Sequence, residues 1–194
     1  MKYFSSSIIK RGFDLLVAIL VGLVCLFPMV VVYLAVRLTS AGPALYWSDR
    51  VGRNNVIFKM PKFRSMRIHT PAVATHLLTN PGQYLTPIGG FLRKSSLDEL
   101  PQLLSILKGD MSFVGPRPAL FNQHDLIALR TEANVQLLVP GLTGWAQING
   151  RDEIPIPQKV ALDRDYLERQ SLWLDLKILI LTAVKVVKRD NVTH

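Results

Sequence analysis

Residues 15–36 read L-L-V-A-I-L-V-G-L-V-C-L-F-P-M-V-V-V-Y-L-A-V, a run of 22 residues without a charge. Lys10, Arg11 and Asp14 precede it and Arg37 follows. A membrane-crossing helix needs about 20 apolar residues, so the run predicts a membrane element. A signal peptide is not the better reading, because its apolar core is only about 7–15 residues long and a cleavage site should follow. Pro28 lies mid-run, where it has no N–H to donate and meets the carbonyl of Val24, so a bend is expected there.

Two topologies fit this segment. Basic flanks favour the cytoplasmic side of a membrane. A kinked single span would export either Lys2, Lys10 and Arg11 or the basic residues from Arg37 to Arg67. A re-entrant hairpin, which enters, bends at Pro28 and leaves by the same face, exports neither group.

Charge points the same way. The net charge is +9, and residues 1–70 hold ten Lys and Arg against two acids, Asp14 and Asp49. The remaining residues hold thirteen against twelve. A basic excess flanking a membrane segment suits anionic headgroups or phosphates. No helix-turn-helix, zinc-finger or aromatic RNA-binding signature accompanies it, so nucleic acid is not an expected partner. The single cysteine, Cys25, excludes an internal disulfide, and no set of residues has structural-zinc spacing.

Beyond the membrane run, Ala44–Ser48 and Val56–Met60 are short apolar or aromatic stretches around D-R-V-G-R-N-N, which predicts a small β-hairpin. Pro61 is expected to end its second strand. Lys62-Phe63-Arg64-Ser65-Met66-Arg67 follows, with Lys62 and Arg64 on one side of an extended chain. From Thr70 to Gly90 the prolines and the Gly89-Gly90 pair predict loops; His69 and His76 read as surface residues.

Ser95–Lys108 predicts an amphipathic helix, with Leu97, Leu100, Leu103, Leu104 and Leu107 at three- and four-residue steps. Ser96-Leu97-Asp98-Glu99 matches a capping box with Ser96 as N-cap, Pro101 is tolerated near a helix start, and Gly109 supplies the stop. P-G-L-T-G-W-A-Q-I-N-G-R, from Pro140 to Arg151, reads as a tight loop able to bring backbone amides near a ligand, or as an ordinary connector. Asp163–Lys188 predicts one long helical stretch, interfacial or buried.

The chemistry centres on Asp98 and Glu99. Acids in a first helical turn stabilise the dipole. Adjacent residues also project about 100° apart on a helix, so the two carboxylates could take separate roles at a phosphorylated substrate. Arg93, Arg117, Lys62 and Arg64 could neutralise its charge. Arg117 stands between Pro116 and Pro118, which stiffen the chain, and a guanidinium grips phosphate in bidentate fashion.

Four motifs stand in order: K-F-R-S-M from Lys62, D-E-L-P-Q from Asp98, G-D-M-S-F-V-G-P-R-P from Gly109, and the Pro140–Arg151 run. Together, behind such an apolar segment, they resemble the bacterial monotopic phosphoglycosyl transferases over nearly the whole chain. The resemblance implies an α+β, mainly helical fold with an N-terminal re-entrant membrane helix, a small β-hairpin and amphipathic interfacial helices. Residues 1–38 would form the membrane part, and residues 39–194 a cytoplasmic catalytic domain on the inner (cytoplasmic) membrane of a bacterium.

It implies transfer of a sugar 1-phosphate from a UDP-sugar to polyprenyl phosphate, usually undecaprenyl phosphate, with release of UMP. Asp98 would carry the covalent phosphosugar, and Glu99 would help hold Mg²⁺. Arg117 matches the phosphate-binding arginine of the P-R-P motif. Lys62, Arg64, Arg93 and Asp110 match other polar positions around the site, and Arg151 matches a residue linked to nucleotide binding. Membrane lipids and a homo-oligomer are the further partners considered. The sequence departs from the family at one point: Phe27, rather than the frequent serine, precedes Pro28. A membrane adaptor, which needs neither the acid pair nor Arg117, and a different membrane phosphotransferase or lipid phosphatase, which releases no UMP, are the competing readings.

Overall fold

The computed structural model describes residues 2–71, 73, 78–150 and 154–188. Helix α1 (Lys2–Thr39) leads into a hairpin of β1 (Leu45–Val51) and β2 (Ile57–Phe63). Short helices α2 (Gly89–Lys94) and α3 (Leu103–Lys108) follow, then β3 (Ser112–Val114), α4 (His124–Glu132) and β4 (Gly141–Thr143). The described chain ends with α5 (Trp145–Ile148), α6 (Ile156–Arg169) and α7 (Leu172–Lys188). The expected α+β, mainly helical class holds.

α1 continues through Pro28, and its stretch Ile8–Thr39, whose most apolar 18 residues have mean hydropathy 3.1, is long and apolar enough to cross a membrane. Its middle faces outward: Val24 and Phe27 are each 78% exposed. Its two flanks are fastened to the rest of the chain. On the N-terminal side, Lys10 donates to Asp175 of α7 at 2.6 Å, Arg11 donates to the carbonyls of Ile106 and Leu107, and buried Asp14 accepts the Phe113 N–H at 3.1 Å. On the C-terminal side, Val32 and Val36 pack in one cluster with Phe63 and Leu92. Ala18 joins the main core with Met60, Ile106, Val114, Tyr166 and Ile178. An apolar helix whose two flanks are buried in the cores of the folded chain and whose middle is bare needs a non-aqueous partner for that middle.

β1 and β2 pair antiparallel from Leu45↔Phe63 to Val51↔Ile57. Pro61 does not end β2, as the sequence suggested; it pairs with Trp47 inside the strand. A two-stranded sheet has only edge strands, where a proline's missing N–H can face away from the ladder. β2 therefore carries Lys62 within a regular strand and stops after Phe63.

The predicted helix Ser95–Lys108 divides. Ser96 has φ +56, and its side chain makes no capping bond, so the capping box does not form. The Glu99 N–H instead reaches the Ser96 carbonyl at 3.1 Å, opening a 3₁₀ segment over Leu97–Gln102. Pro101 explains the division, since in an α-helix its ring would meet the carbonyl of Leu97. Regular helix begins only at Leu103, and Gly109, with φ +99, ends it as expected.

The Gly89-Gly90 pair opens α2 rather than marking a loop. A Cβ on Gly89 would lie 2.0 Å from the Ser65 carbonyl oxygen, so close backbone approach accounts for that glycine. Likewise Asp163–Lys188 is two helices, parted at Gln170–Ser171, with the Ser171 hydroxyl accepting the Leu174 N–H at 3.2 Å as an N-cap. α7 buries Leu174, Asp175 and Ile178 and exposes Trp173 and Ile180. It thus has a core face and a bare apolar face.

Candidate active site

The third and fourth motifs, about thirty residues apart in the chain, are zipped together by strand pairing. β3 and β4 run parallel, with Ser112↔Gly141 and Val114↔Thr143 as partners. The glycines serve this contact. A Cβ on Gly141 would lie 2.1 Å from the Gly115 nitrogen, and one on Gly144 would lie 2.1 Å from the Gly115 carbonyl oxygen. These two glycines therefore admit backbone, not ligand, and they seat the loop that carries Arg117.

Arg117 then meets the acid pair. Glu99 Oε1 accepts from Lys62 Nζ of β2 at 2.8 Å and lies 3.4 Å from Arg117 Nη2. Lys62, Glu99, Gln102, Arg117 and Pro118 line one shallow cleft, together with Arg50, Met60 and Gly141. Residues spread from β1 to β4 thus line one cleft, and two of them, Lys62 and Arg117, meet on one carboxylate.

The two acids are neighbours in sequence and opposites in electrostatics. Burial alone would raise the Glu99 carboxyl, but Lys62 first and Arg117 next, by charge and hydrogen bonds, hold it well below the usual carboxylate range. Asp98 is 7% exposed, and burial pushes its carboxyl up to about 6. Lys62 and Arg93 pull it back and the charge on Glu99 adds to the rise. Burial likewise draws Arg93, in the last turn of α2, below its ordinary value, with Asp98 and Glu99 opposing the fall. Glu99 is ionised at all working pH values, and Asp98 becomes so only above about pH 6. Asp98 is therefore the more basic of the two carboxylates.

The other sequence candidates are dispersed. Arg64 does not share a side with Lys62, because β2 ends at Phe63; its guanidinium is buried and donates to the carbonyls of Ala41 and Ser40 and to the Ser40 hydroxyl, tying down the exit from α1. Asp110 lies in the turn between α3 and β3, outside the cleft lining. Pro116 and Pro118 contribute carbonyls and walls: the Pro118 carbonyl accepts from Arg50 at 3.1 Å, and the Pro116 carbonyl accepts the Gly141 N–H at 2.9 Å. Arg151 and His76 lie outside the described residues. Arg50 and Gln102 enter the site without having been anticipated. In the sequence Arg50 resembles part of a turn; it sits on β1 because the strand runs on to Val51. Gln102 stands inside the D-E-L-P-Q motif, and that is its only signal.

Residues 5–189 match the model of the family described as bacterial sugar transferase. The chain belongs to the bacterial sugar transferase family. It is 42% identical over 176 residues to a UDP-glucose:undecaprenyl-phosphate glucose-1-phosphate transferase of Xanthomonas campestris pv. campestris, covering 86% of this chain and 36% of that protein. It is 37% identical over 204 residues to the undecaprenyl-phosphate galactose phosphotransferase of Salmonella typhimurium, covering 96% of this chain and 42% of that protein. It is also 41% identical over 189 residues to EpsL of Bacillus subtilis, an uncharacterized sugar transferase, covering 95% of this chain and 90% of that protein. The chain thus spans well under half the length of the first two relatives. In this bacterial sugar transferase, the shared region contains the acid pair, the P-R-P loop and the membrane-length helix.

Proposed function

We propose that the protein transfers a sugar 1-phosphate from a UDP-sugar to undecaprenyl phosphate and releases UMP. The observation that carries this reading is the convergence of Lys62 and Arg117 on Glu99, beside a buried Asp98 whose carboxyl is raised to about 6. Two named relatives that act on undecaprenyl phosphate support the lipid acceptor, and one of them is named for a UDP-sugar donor.

In this reading a carboxylate oxygen of Asp98 attacks the sugar-linked phosphorus of the donor. The phosphoanhydride bond breaks, UMP leaves, and the sugar phosphate is held as an acyl phosphate on Asp98. An oxygen of the lipid phosphate then attacks the same phosphorus, and the Asp98 carboxylate is released. Arg117 and Lys62 bind the negative oxygens, and Arg93 offsets charge near Asp98. Splitting the transfer lets a water-soluble donor and a membrane acceptor use one cleft in turn.

Glu99 would help hold the Mg²⁺. Among the described residues no group of three or more metal-ligating side chains occurs, whereas Mg²⁺ commonly takes one or two carboxylates and completes its shell with water and substrate phosphates. Lys62 Nζ and Arg117 Nη2 both meet Oε1 of Glu99, which offsets the charge of this carboxylate without closing the cleft around it. The donor set therefore fits the ion, which when bound supplies charge neutralisation at the diphosphate.

The fastening of both flanks of α1 to one folded body supports a re-entrant helix. Residues 1–38 would dip into the cytoplasmic membrane of a bacterium and return, leaving residues 39–194 and the cleft on the cytoplasmic face. Accessibility labelling of cysteines placed at both flanks should find both on the cytoplasmic side. The activity is tested by UMP release over a panel of UDP-sugars with undecaprenyl phosphate and Mg²⁺. Release with at least one sugar, abolished by chelation, is expected; no release with any of them refutes the reading.

A further inference from the structure

The loop that carries Arg117 is held by four successive carbonyls, each with a donor from elsewhere in the chain. Gly141 N–H donates to Pro116 at 2.9 Å, Arg130 Nη1 to Arg117 at 2.8 Å, Arg50 Nη1 to Pro118 at 3.1 Å, and Val51 N–H to Ala119 at 2.9 Å. Pro116 and Pro118 have no N–H of their own, so these carbonyl contacts do much of the fixing. The bond to Arg117 itself comes from a side chain that has another commitment. Arg130 Nε and Nη2 both donate to Asp163 Oδ2, at 3.0 and 2.6 Å. The two side chains are 9% and 1% exposed.

We propose that Arg130, oriented by Asp163 of α6, is a positioning residue that aims Arg117 at the acid pair. The chemistry supports this over a purely structural role. A buried ion pair is weak evidence for stability, because apolar residues of similar size often replace one without loss. What apolar residues cannot replace is the third nitrogen, which grips the backbone of Arg117. The planar guanidinium suits this role, because two nitrogens fixed on Asp163 leave the third no freedom of direction. Arg117 is thus held from behind by its carbonyl while its side chain, 41% exposed, reaches Glu99 in front.

The decisive variant replaces both charges, Arg130→Met with Asp163→Leu, in the full chain. The kinetic arm rests on the transferase reading; the exchange arm does not. The variant should keep its melting temperature within a few degrees and lose about 10- to 100-fold in kcat/KM for UMP release, the value of a charge-assisted hydrogen bond. Amide exchange over residues 113–121 should quicken in it while α7 stays protected. Adding Arg117→Met should then cost little beyond Arg117→Met alone, because Arg130 acts through Arg117. A folded variant with parental activity and exchange, or losses that multiply with Arg117→Met, overturns the proposal. If the double replacement does not fold, Arg130→Lys serves instead. A single ammonium keeps the pair with Asp163 but lacks the rigid fork that fixes the third donor on the carbonyl, so parental rates and exchange in that variant overturn the proposal as well. Wild-type protein that releases no UMP refutes the transferase reading, and the exchange measurement still decides this one.

Discussion

The Pro116–Pro118 loop meets ions on two sides, and the two sides differ in kind. In front, Lys62, Glu99 and Arg117 have side chains 17%, 23% and 41% exposed. Behind, Arg130 and Asp163 are almost sealed from solvent. Arg117 is the most hydrated of the three and its contact with Glu99 is the longer one, 3.4 Å, and a pair open to water contributes little to stability, so a substrate phosphate could take Glu99's place on Arg117. A desolvated pair does not exchange, since removing one partner strands a buried charge at a cost of about 3–5 kcal/mol. The site therefore combines a changeable face with a fixed back, and that division suits the proposed reaction, in which one cleft would accept two different phosphates in succession.

The front is broken most completely at Asp98, the proposed nucleophile. Asp98→Asn should lower turnover by about 10³-fold or more and abolish any phosphosugar adduct seen by intact-protein mass spectrometry. Residual turnover with a trapped adduct would move the nucleophile elsewhere. The back is broken by steric means at Gly141. Its alanine would press on the Gly115 backbone, with no flexible side chain to yield, so β3 and β4 must part. Gly141→Ala should cost about 3 kcal/mol, read as a fall in the melting temperature in detergent; an unchanged melting temperature would show that the fixed back can give.

A gentler change sharpens the electrostatic contrast. In the metal-free protein Asp98 should titrate near pH 6, followed by carboxyl NMR. Lys62 is the largest influence stabilising the charged form, so Lys62→Met should move that titration upward and leave more of the acid protonated at neutral pH. A downward movement would contradict the assigned electrostatics. The smallest effect belongs to the surface of α6. Arg164 and Glu168 pair at 2.8 Å but are 62% and 59% exposed, so Glu168→Ala should change stability by less than about 0.5 kcal/mol.

Front and back also differ in how far they could be read beforehand. Asp98, Glu99 and Arg117 announce themselves because charged residues among leucines and prolines break a local pattern. Lys62 does so less clearly, and Arg64, equally basic and two residues on, serves the end of α1 instead. Its role turned on where β2 stops. Arg130 and Asp163 carried no local signal, since each is an ordinary charge in a helix until the other is brought to it. The capping box failed for a related reason: Ser96 and Glu99 have the right spacing, but the cations on β2 and the P-R-P loop hold the Glu99 side chain. Pro61 and the glycine pair at Gly89 mislead in the sequence because their effect depends on what packs beside them.

By itself the sequence determined the quantities that are sums over neighbours: an uncharged run long enough for a membrane, its basic flanks, the hairpin, the helix stop at Gly109 and the order of four motifs. Tertiary structure decided what depends on residues far apart in the chain. It buried Asp98 and left Glu99 between two cations, it joined two glycine-rich motifs into one wall, and it fastened the two flanks of α1 to two clusters of the same folded chain. The reason is physical: hydropathy and turn preference are local properties of the chain, whereas desolvation and ion pairing are set by whatever atoms the fold brings alongside.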